Sequence, residues 1–210
     1  MSRTGRLGYA LFTASMLCLV GTVAFAQTKD EATDTYQVNY YSNALTEGAP
    51  DGTVHIVNPG TAIKSLDPDG KPTTGSLCAD VYVLNNDEQV VECCGCSLSP
   101  DSERTLSINT NLLGNPVNHG NVTADGVIKV VSDHPVAGIC RPDQEGTVPT
   151  AGLRAWATHI QAKPSTWVET EEEFSAAPLS DNELLWLQLQ CSAIYTSGSG
   201  KGKCSCGTGD

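Results

Sequence analysis

Cysteine is the residue type whose spacing carries the clearest chemistry in this 210-residue chain. Positions 93–96 read Cys-Cys-Gly-Cys, and Cys204-Ser205-Cys206 follows near the end of the chain. Close thiols form disulfides in an oxidising compartment, whereas clustered thiolates bind zinc or copper(I). The chain lacks the repeated Cys-x2-Cys pairs that are typical of structural zinc sites, since only Cys93 and Cys96 have this spacing. The pattern therefore predicts disulfides and no metal site, with a metal-binding or redox module as the alternative.

Other residues that catalyse reactions in proteins are scattered. The histidines lie at positions 55, 119, 134 and 159, without the i, i+4 pair of a helical zinc protease. No Gly-x-Ser-x-Gly sequence supplies the nucleophile turn of a serine hydrolase. Asp67-Pro68-Asp69-Gly70 resembles the start of a calcium loop but lacks the acidic residue at the far end, so it predicts a turn. The sequence predicts no catalytic residue and no cofactor.

Trp186 is the candidate for contact with a partner. It lies opposite an apolar helical stripe that includes Leu184, Leu187 and Cys191, so its ring is expected to face away from the core. An exposed indole suits contact with a protein or with a sugar ring. The alternative is that Trp186 packs against a loop.

The first 26 residues are typical of a secretory signal peptide. Arg3 and Arg6 precede the largely apolar stretch 8–25, and Ala24-Phe25-Ala26 places small residues where a signal peptidase cleaves. A transmembrane anchor is the alternative, since about 18 uncharged residues just span a bilayer. Cleavage after Ala26 removes Cys18 and leaves an even number of cysteines, as full pairing requires: Cys78, Cys93, Cys94, Cys96, Cys140, Cys191, Cys204 and Cys206.

Charge narrows the classes of partner. The chain has 24 acidic and 12 basic residues, a formal net charge of −12. Nucleic acids and anionic membranes bind proteins through Lys and Arg, so neither is expected as a partner. After cleavage of the signal peptide, no stable membrane span is expected. The expected location is therefore the periplasm, the cell surface or the extracellular space.

Short strands fill the middle of the chain. Apolar alternation and β-branched runs, separated by Gly and Pro turns, predict strands at 53–58, 77–84, 88–98, 104–113, 126–132 and 153–162. No helical pattern separates them, which favours an antiparallel β-sandwich over 53–168. Residues 27–52 are expected to form a polar leader with at most one edge strand. Residues 169–179 are expected to form an acidic linker, with Glu169, Glu171, Glu172 and Glu173.

One helix is expected at 180–196. Ser180-Asp181-Asn182-Glu183 is a capping box, and apolar residues recur at helical spacing until Ser197-Gly198. The Gly-rich tail, 197–210, lacks apolar residues that could hold it in place, so disulfides are expected to do so. A bridge from Cys191 to Cys204 or Cys206 would close a loop of about 15 residues. Eight cysteines allow 105 pairings, so the sequence leaves the connectivity open.

Several segments between Thr53 and Cys206 also carry a resemblance. They include Ser-Leu-Cys-Ala-Asp-Val-Tyr-Val at 76–83, Glu-Cys-Cys-Gly-Cys at 92–96, Leu-Arg-Ala-Trp-Ala-Thr-His at 153–159 and Cys-Ser-Cys at 204–206. Together they resemble an uncharacterised family of exported, cysteine-containing proteins of soil acidobacteria. The resemblance implies export and a cysteine framework, and it brings no activity and no site residues.

These patterns predict a secreted protein that is mainly β, an antiparallel β-sandwich with one C-terminal helix and a disulfide-held Gly-rich tail. They favour a non-catalytic protein of structural, adhesive or ligand-binding type over an enzyme. A cysteine-cluster metal-binding or redox module is the second hypothesis, and a secreted hydrolase is the third.

Overall fold

The computed structural model describes residues 34–207 and contains two antiparallel sheets packed face to face. Its elements are β1 (Tyr36–Tyr41), β2 (Thr53–Asn58), β3 (Leu77–Asn85), β4 (Val90–Leu98), β5 (Ser102–Ser107), β6 (Gly126–Asp133), β7 (Arg154–Lys163), β8 (Thr166–Glu173), β9 (Ser175–Ala176) and helix α1 (Asp181–Thr196). The five-stranded sheet has the order β4-β3-β6-β1-β9, and the four-stranded sheet has the order β5-β2-β7-β8. The predicted β-sandwich with a C-terminal helix is confirmed.

The space between the sheets is filled by side chains from their inner faces. Val54 and Ile56 of β2 point inward and are fully buried, as is Leu106 of the neighbouring β5. Side chains alternate along a strand, so His55 and Val57 lie on the outer face of β2 and are partly exposed. The outer face of the four-stranded sheet therefore meets solvent.

The interior strand β3, which lies between β4 and β6, is buried at all nine positions. Its inward residues, such as Val81, join the core between the sheets. Its outward residues Tyr82 and Leu84 belong to a second apolar cluster that includes α1. A strand that is covered on both faces requires an apolar run rather than alternation, which explains the sequence at 77–84.

Helix α1 begins at the predicted cap. The backbone N–H of Glu183 donates to the Ser180 hydroxyl at 3.2 Å. The buried face of the helix packs on the outer face of the five-stranded sheet, and we call this contact the outer apolar cluster. Its buried members are Tyr36, Tyr82, Leu84, Cys93, Val131, Leu187, Cys191 and Ile194.

The tail runs along the edge of β4. Cys93 N donates to Gly202 O at 2.9 Å, and Cys204 N donates to Cys93 O at 3.2 Å. Ser205 N donates to Asn111 O at 3.0 Å, in a turn that follows β5. The tail therefore lies between the edge strands of the two sheets and occupies backbone groups that an open edge would expose.

Two segments differ from their expected structure. The expected leader contains β1, an interior strand whose inward polar groups are satisfied, since Gln37 donates to Leu153 O at 2.8 Å and Asn39 to Glu172 O at 3.2 Å. The expected acidic linker overlaps β8, an edge strand paired with β7 along its whole length. Backbone pairing holds both segments, and in β1 the buried Tyr36 and Tyr41 add apolar contacts, so the largely polar composition gave a wrong prediction.

The strand expected at 104–113 ends at Ser107, and Ile108–Leu112 forms a single π-helical turn. Side chains bond the backbone there, which competes with strand pairing. Ser107 N donates to Asn111 Oδ1 at 2.7 Å, and Thr110 N donates to the Ser107 hydroxyl at 2.9 Å. The alternation of apolar residues did not reveal this turn.

The expected signal peptide, 1–26, lies outside the described residues. Within 34–207, no helix has the length and apolar character needed to cross a membrane.

Candidate functional site

Four disulfides join elements that are far apart in the sequence. The pairs are Cys78–Cys140, Cys93–Cys191, Cys94–Cys204 and Cys96–Cys206. Because side chains alternate along β4, Cys93 points outward to α1, whereas Cys94 and Cys96 point inward and bond the tail. The predicted disulfide bonding of the tail is confirmed. The bridge considered from Cys191 to Cys204 or Cys206 is wrong, because α1 packs with Cys191 against β4.

Two of these disulfides lie side by side. The sulfur atoms of Cys94, Cys96 and Cys206 are within 4.8 Å of one another, and no other trio of His, Cys, Asp or Glu in 34–207 has such close donor atoms. A disulfide sulfur carries no thiolate charge, and it is the thiolate that binds metal. The arrangement could hold a metal only after reduction. Disulfides in this number indicate an oxidising compartment.

A groove of about 480 Å³ opens between the first turns of α1 and the outer face of the five-stranded sheet. The helix supplies one side, and β6 and the end of β3 supply the other. The lining combines apolar, charged and aromatic side chains: Leu84, Glu88, Val127, Lys129, Glu183 and Trp186. Such a mixture of apolar surface and a few polar groups is typical of small-molecule sites.

Lys129 and Glu183 form an ion pair within the groove. Lys129 Nζ lies 2.5 Å from Glu183 Oε1 and 5.5 Å from the centroid of the Trp186 ring. The ammonium group thus contacts both a carboxylate and an aromatic face. The Tyr36 hydroxyl donates to the same Glu183 oxygen at 3.4 Å, and burial together with the nearby carboxylate raises the pKa of Tyr36. These contacts hold the start of α1 against β1 and β6.

Trp186 also lines a second cleft of about 330 Å³, to which Val117 and Gln190 contribute. The ring is half-buried, because it packs against the outer apolar cluster. The expectation that Trp186 faces away from the core therefore needs correction. The exposed large apolar residues of α1 are Leu185 and Leu189, at 42% and 47% of their full exposure.

His55 belongs to a chain of hydrogen bonds on the outer face of the four-stranded sheet. Its Nδ1 lies 2.7 Å from Glu103 Oε1, and its Nε2 lies 3.3 Å from the Thr53 hydroxyl. The hydrogen bond with His55 lowers the pKa of Glu103. Carboxylate, imidazole and hydroxyl follow the order of a hydrolytic triad. However, β2 pairs with β5 on one side and β7 on the other, so its backbone amides are engaged and cannot stabilise an oxyanion.

Sequence patterns did not reveal Lys129 or Glu183 as groove residues. Lys129 reads as an ordinary outward residue of a strand, and Glu183 as part of the capping box. Only the docking of α1 brings the two together.

No protein-family model matches the chain, and neither the curated proteins nor the solved structures contain a match. Function must therefore be inferred from the chemistry of the molecule itself.

Proposed function

We propose that the protein is an exported, non-catalytic binding protein and that its groove beside Trp186 takes a carbohydrate. The observation that carries the proposal is the Trp186 ring, which lines both clefts and lies close to the Lys129–Glu183 pair. Aromatic rings offer apolar area for the C–H faces of a sugar, while flanking polar groups bond its hydroxyls. Two clefts that share one aromatic ring suit an extended ligand.

The charges in the groove favour a neutral ligand over an anionic one. The Lys129 ammonium is already paired with Glu183, and Glu88 adds a second carboxylate. A phosphorylated or acidic ligand would meet these carboxylates at short range, which is unfavourable. A neutral polyhydroxylated ligand can instead donate hydroxyl hydrogens to the carboxylates and accept from Lys129.

Covalent bracing supports a binding role. The Cys93–Cys191 disulfide fixes α1 to β4, and the Lys129–Glu183 pair fixes its first turn to β6. A site on braced elements loses little conformational freedom when a ligand binds, so more of the contact energy appears as affinity. An adhesive role at a cell surface, or ligand capture in the periplasm or outside the cell, is compatible with this site. The resemblance to exported acidobacterial proteins supports the same compartment.

Calorimetric titration of the disulfide-intact protein with a panel of neutral and acidic soluble oligosaccharides tests this proposal. We expect binding of at least one neutral oligosaccharide and at least a tenfold loss of affinity in Trp186→Ala, about 1.4 kcal/mol. Glu88→Ala should also weaken binding, and it removes an exposed carboxylate without disturbing α1. Trp156→Ala, on the outer face of the other sheet, is the matched control and should bind normally. Failure of every sugar to bind, or an equal loss in Trp156→Ala, would contradict the proposal.

A second candidate function is thiolate metal binding, which the short distances among the Cys94, Cys96 and Cys206 sulfurs favour. It requires that the protein be isolated with reduced cysteines. Free-thiol titration and elemental analysis of protein from the exported fraction separate the two functions. Full disulfide content and no stoichiometric metal would exclude the second one.

A further inference from the structure

Two aspartates, Asp80 and Asp133, are buried close to each other on the outer face of the five-stranded sheet. Asp80 of β3 faces the same side as Tyr82, and Asp133 lies at the end of the adjacent β6. Asp80 pairs with Val131 and Asp133 pairs with Cys78, so the two aspartates are diagonal neighbours across the strands. Their exposed fractions are only 1% and 2%. In each, the Oδ1 atom is buried without a hydrogen-bond partner.

The loop that carries Cys140 covers Asp80 and Asp133 and lies close to the sheet. The Cys78–Cys140 disulfide joins it to β3, and the Tyr82 hydroxyl donates to Pro142 O at 2.8 Å. Gly95 of β4 makes room for it, because a Cβ there would lie 2.8 Å from Cys140 Cβ. The loop is thus held against the strands that carry the two carboxyl groups.

The groups near the two aspartates are one carboxylate with its arginine partner and several neutral side chains. From the loop come Asp143, whose carboxylate pairs with Arg141 at 3.3 Å, and Thr147. Helix α1 contributes Tyr195 and also Gln188, which donates to the Thr147 hydroxyl at 2.7 Å. Burial, with the nearby Asp133 and Asp143 carboxyl groups, raises the pKa of Asp80 well above its ordinary value. A buried pair of carboxyl groups with open oxygens must be neutralised by a proton or by a bound cation.

We propose that Asp80 and Asp133 bind a divalent cation, with Ca²⁺ as the best match. Carboxylate and hydroxyl oxygens are hard ligands, which suit Ca²⁺ rather than zinc or copper. Asp80 and Asp133 would supply the charge, and the Thr147 hydroxyl, which bonds the Asp133 carboxyl group, would supply a neutral oxygen, with water completing the coordination. The bound ion would fasten the loop to β3 and β6, and through the Gln188–Thr147 hydrogen bond it would also fasten α1. The Asp80–Asp133 site lies apart from the carbohydrate groove, whose lining includes neither aspartate.

Calcium titration of the chelator-treated, disulfide-intact protein tests the site. We expect one equivalent of Ca²⁺ to bind with a dissociation constant on the order of 10⁻⁴ to 10⁻³ M, as in other extracellular calcium modules, and to raise the Tm. Terbium should also bind and be excited through the nearby Tyr82. Asp80→Asn and Asp133→Asn should each weaken binding at least tenfold. Asp80→Asn should nevertheless raise the Tm of the metal-free protein, because it removes one of two adjacent buried carboxyl groups.

The matched control is Asp69→Asn, in the exposed turn that resembles the start of a calcium loop. Its affinity for Ca²⁺ should equal that of the wild type. The proposal is overturned if the wild type binds no Ca²⁺ or terbium, if Asp80→Asn and Asp133→Asn bind as the wild type does, or if Asp69→Asn abolishes binding. The pair of Asp80→Asn results, lower affinity and higher metal-free Tm, separates metal binding from a purely structural role.

Discussion

The two sheets of this sandwich differ in how they are covered and fastened. The five-stranded sheet carries α1 and a loop on its outer face and the tail along its edge, and all four disulfides start from its strands β3 and β4. Within 34–207, the four-stranded sheet has no disulfide, and its outer face presents residues such as Thr53 and His55 to solvent. Cross-links occur where loop, helix and tail must be held on a sheet, whereas the bare sheet depends on its inner face alone.

The bracing also determines where binding sites can form. Both the Trp186 groove and the Asp80–Asp133 pair lie between the five-stranded sheet and an element that a disulfide holds in place. On the four-stranded sheet, the His55 contacts lie on an open strand face, where water has free access. Covered surfaces are more desolvated, so the polar groups within them interact more strongly.

Removal of the disulfide between β4 and α1 should have the largest effect. The Cys93→Ala/Cys191→Ala double variant opens a bridge that spans 98 positions, and we expect a loss of about 3–5 kcal/mol in the free energy of unfolding. Urea unfolding followed by circular dichroism measures it. Thr166→Ala, an exposed position at the start of β8, serves as the control and should change stability by less than about 0.5 kcal/mol. A loss below about 1 kcal/mol in the double variant would mean that burial alone holds the helix.

Substitutions on the two faces of β2 should give the next largest difference in the free energy of unfolding. Ile56→Ala leaves a cavity in the core between the sheets and should cost about 2–5 kcal/mol. Val57→Ala, one position along on the outer face, should cost less than about 1 kcal/mol, since water already reaches that side chain. The same urea unfolding experiment compares them. Equal losses would show that the outer face of the four-stranded sheet is covered after all.

The smallest of the three effects concerns Glu92, a buried carboxyl group of β4. Its Oε1 accepts a hydrogen bond from Asn115 N at 2.7 Å, while burial raises its pKa to about 7. Because the folded-state pKa lies above the unfolded value near 4.5, proton uptake stabilises the fold at low pH. That stabilisation is lost as the pH rises through 7.

Glu92→Gln removes the pH dependence of stability that arises from the Glu92 carboxyl group. Relative to the wild type, the variant should gain about 2 kcal/mol of stability between pH 5.5 and pH 8. Unfolding curves at both pH values give this difference. Glu171→Gln, which replaces a solvent-exposed carboxylate of β8, is the matched control on the other sheet. A gain of the same size in Glu171→Gln would remove the contrast between buried and exposed carboxylates.

Local patterns explain why part of this structure could be predicted from the sequence. The alternation in β2 and the capping box at Ser180 depend on neighbouring residues only, so they could be predicted from the sequence. The strands β1 and β8 could not, because hydrogen bonds and pairing partners far away in the sequence compensate for their polar residues.

The candidate sites depend on long-range docking. Cysteine spacing shows that Cys93 and Cys94 face opposite ways, but the choice of Cys191 as the partner of Cys93 requires the position of α1. Lys129 and Glu183 meet across 54 positions for the same reason. The aspartate within the apolar run 77–84 was the one local signal of the Asp80–Asp133 pair that sequence reasoning could have used.

The connection between β4 and the tail also sets the order in which the protein matures. A chain is synthesised from its N-terminus at about 5–20 residues per second, and Cys94 and Cys96 have partners 110 positions later. Synthesis of that stretch takes roughly 5–20 s, during which Cys94 and Cys96 have no native partner. Native pairing becomes complete only after Cys204 and Cys206 have been made, so these two cysteines decide whether oxidation ends in the native isomer.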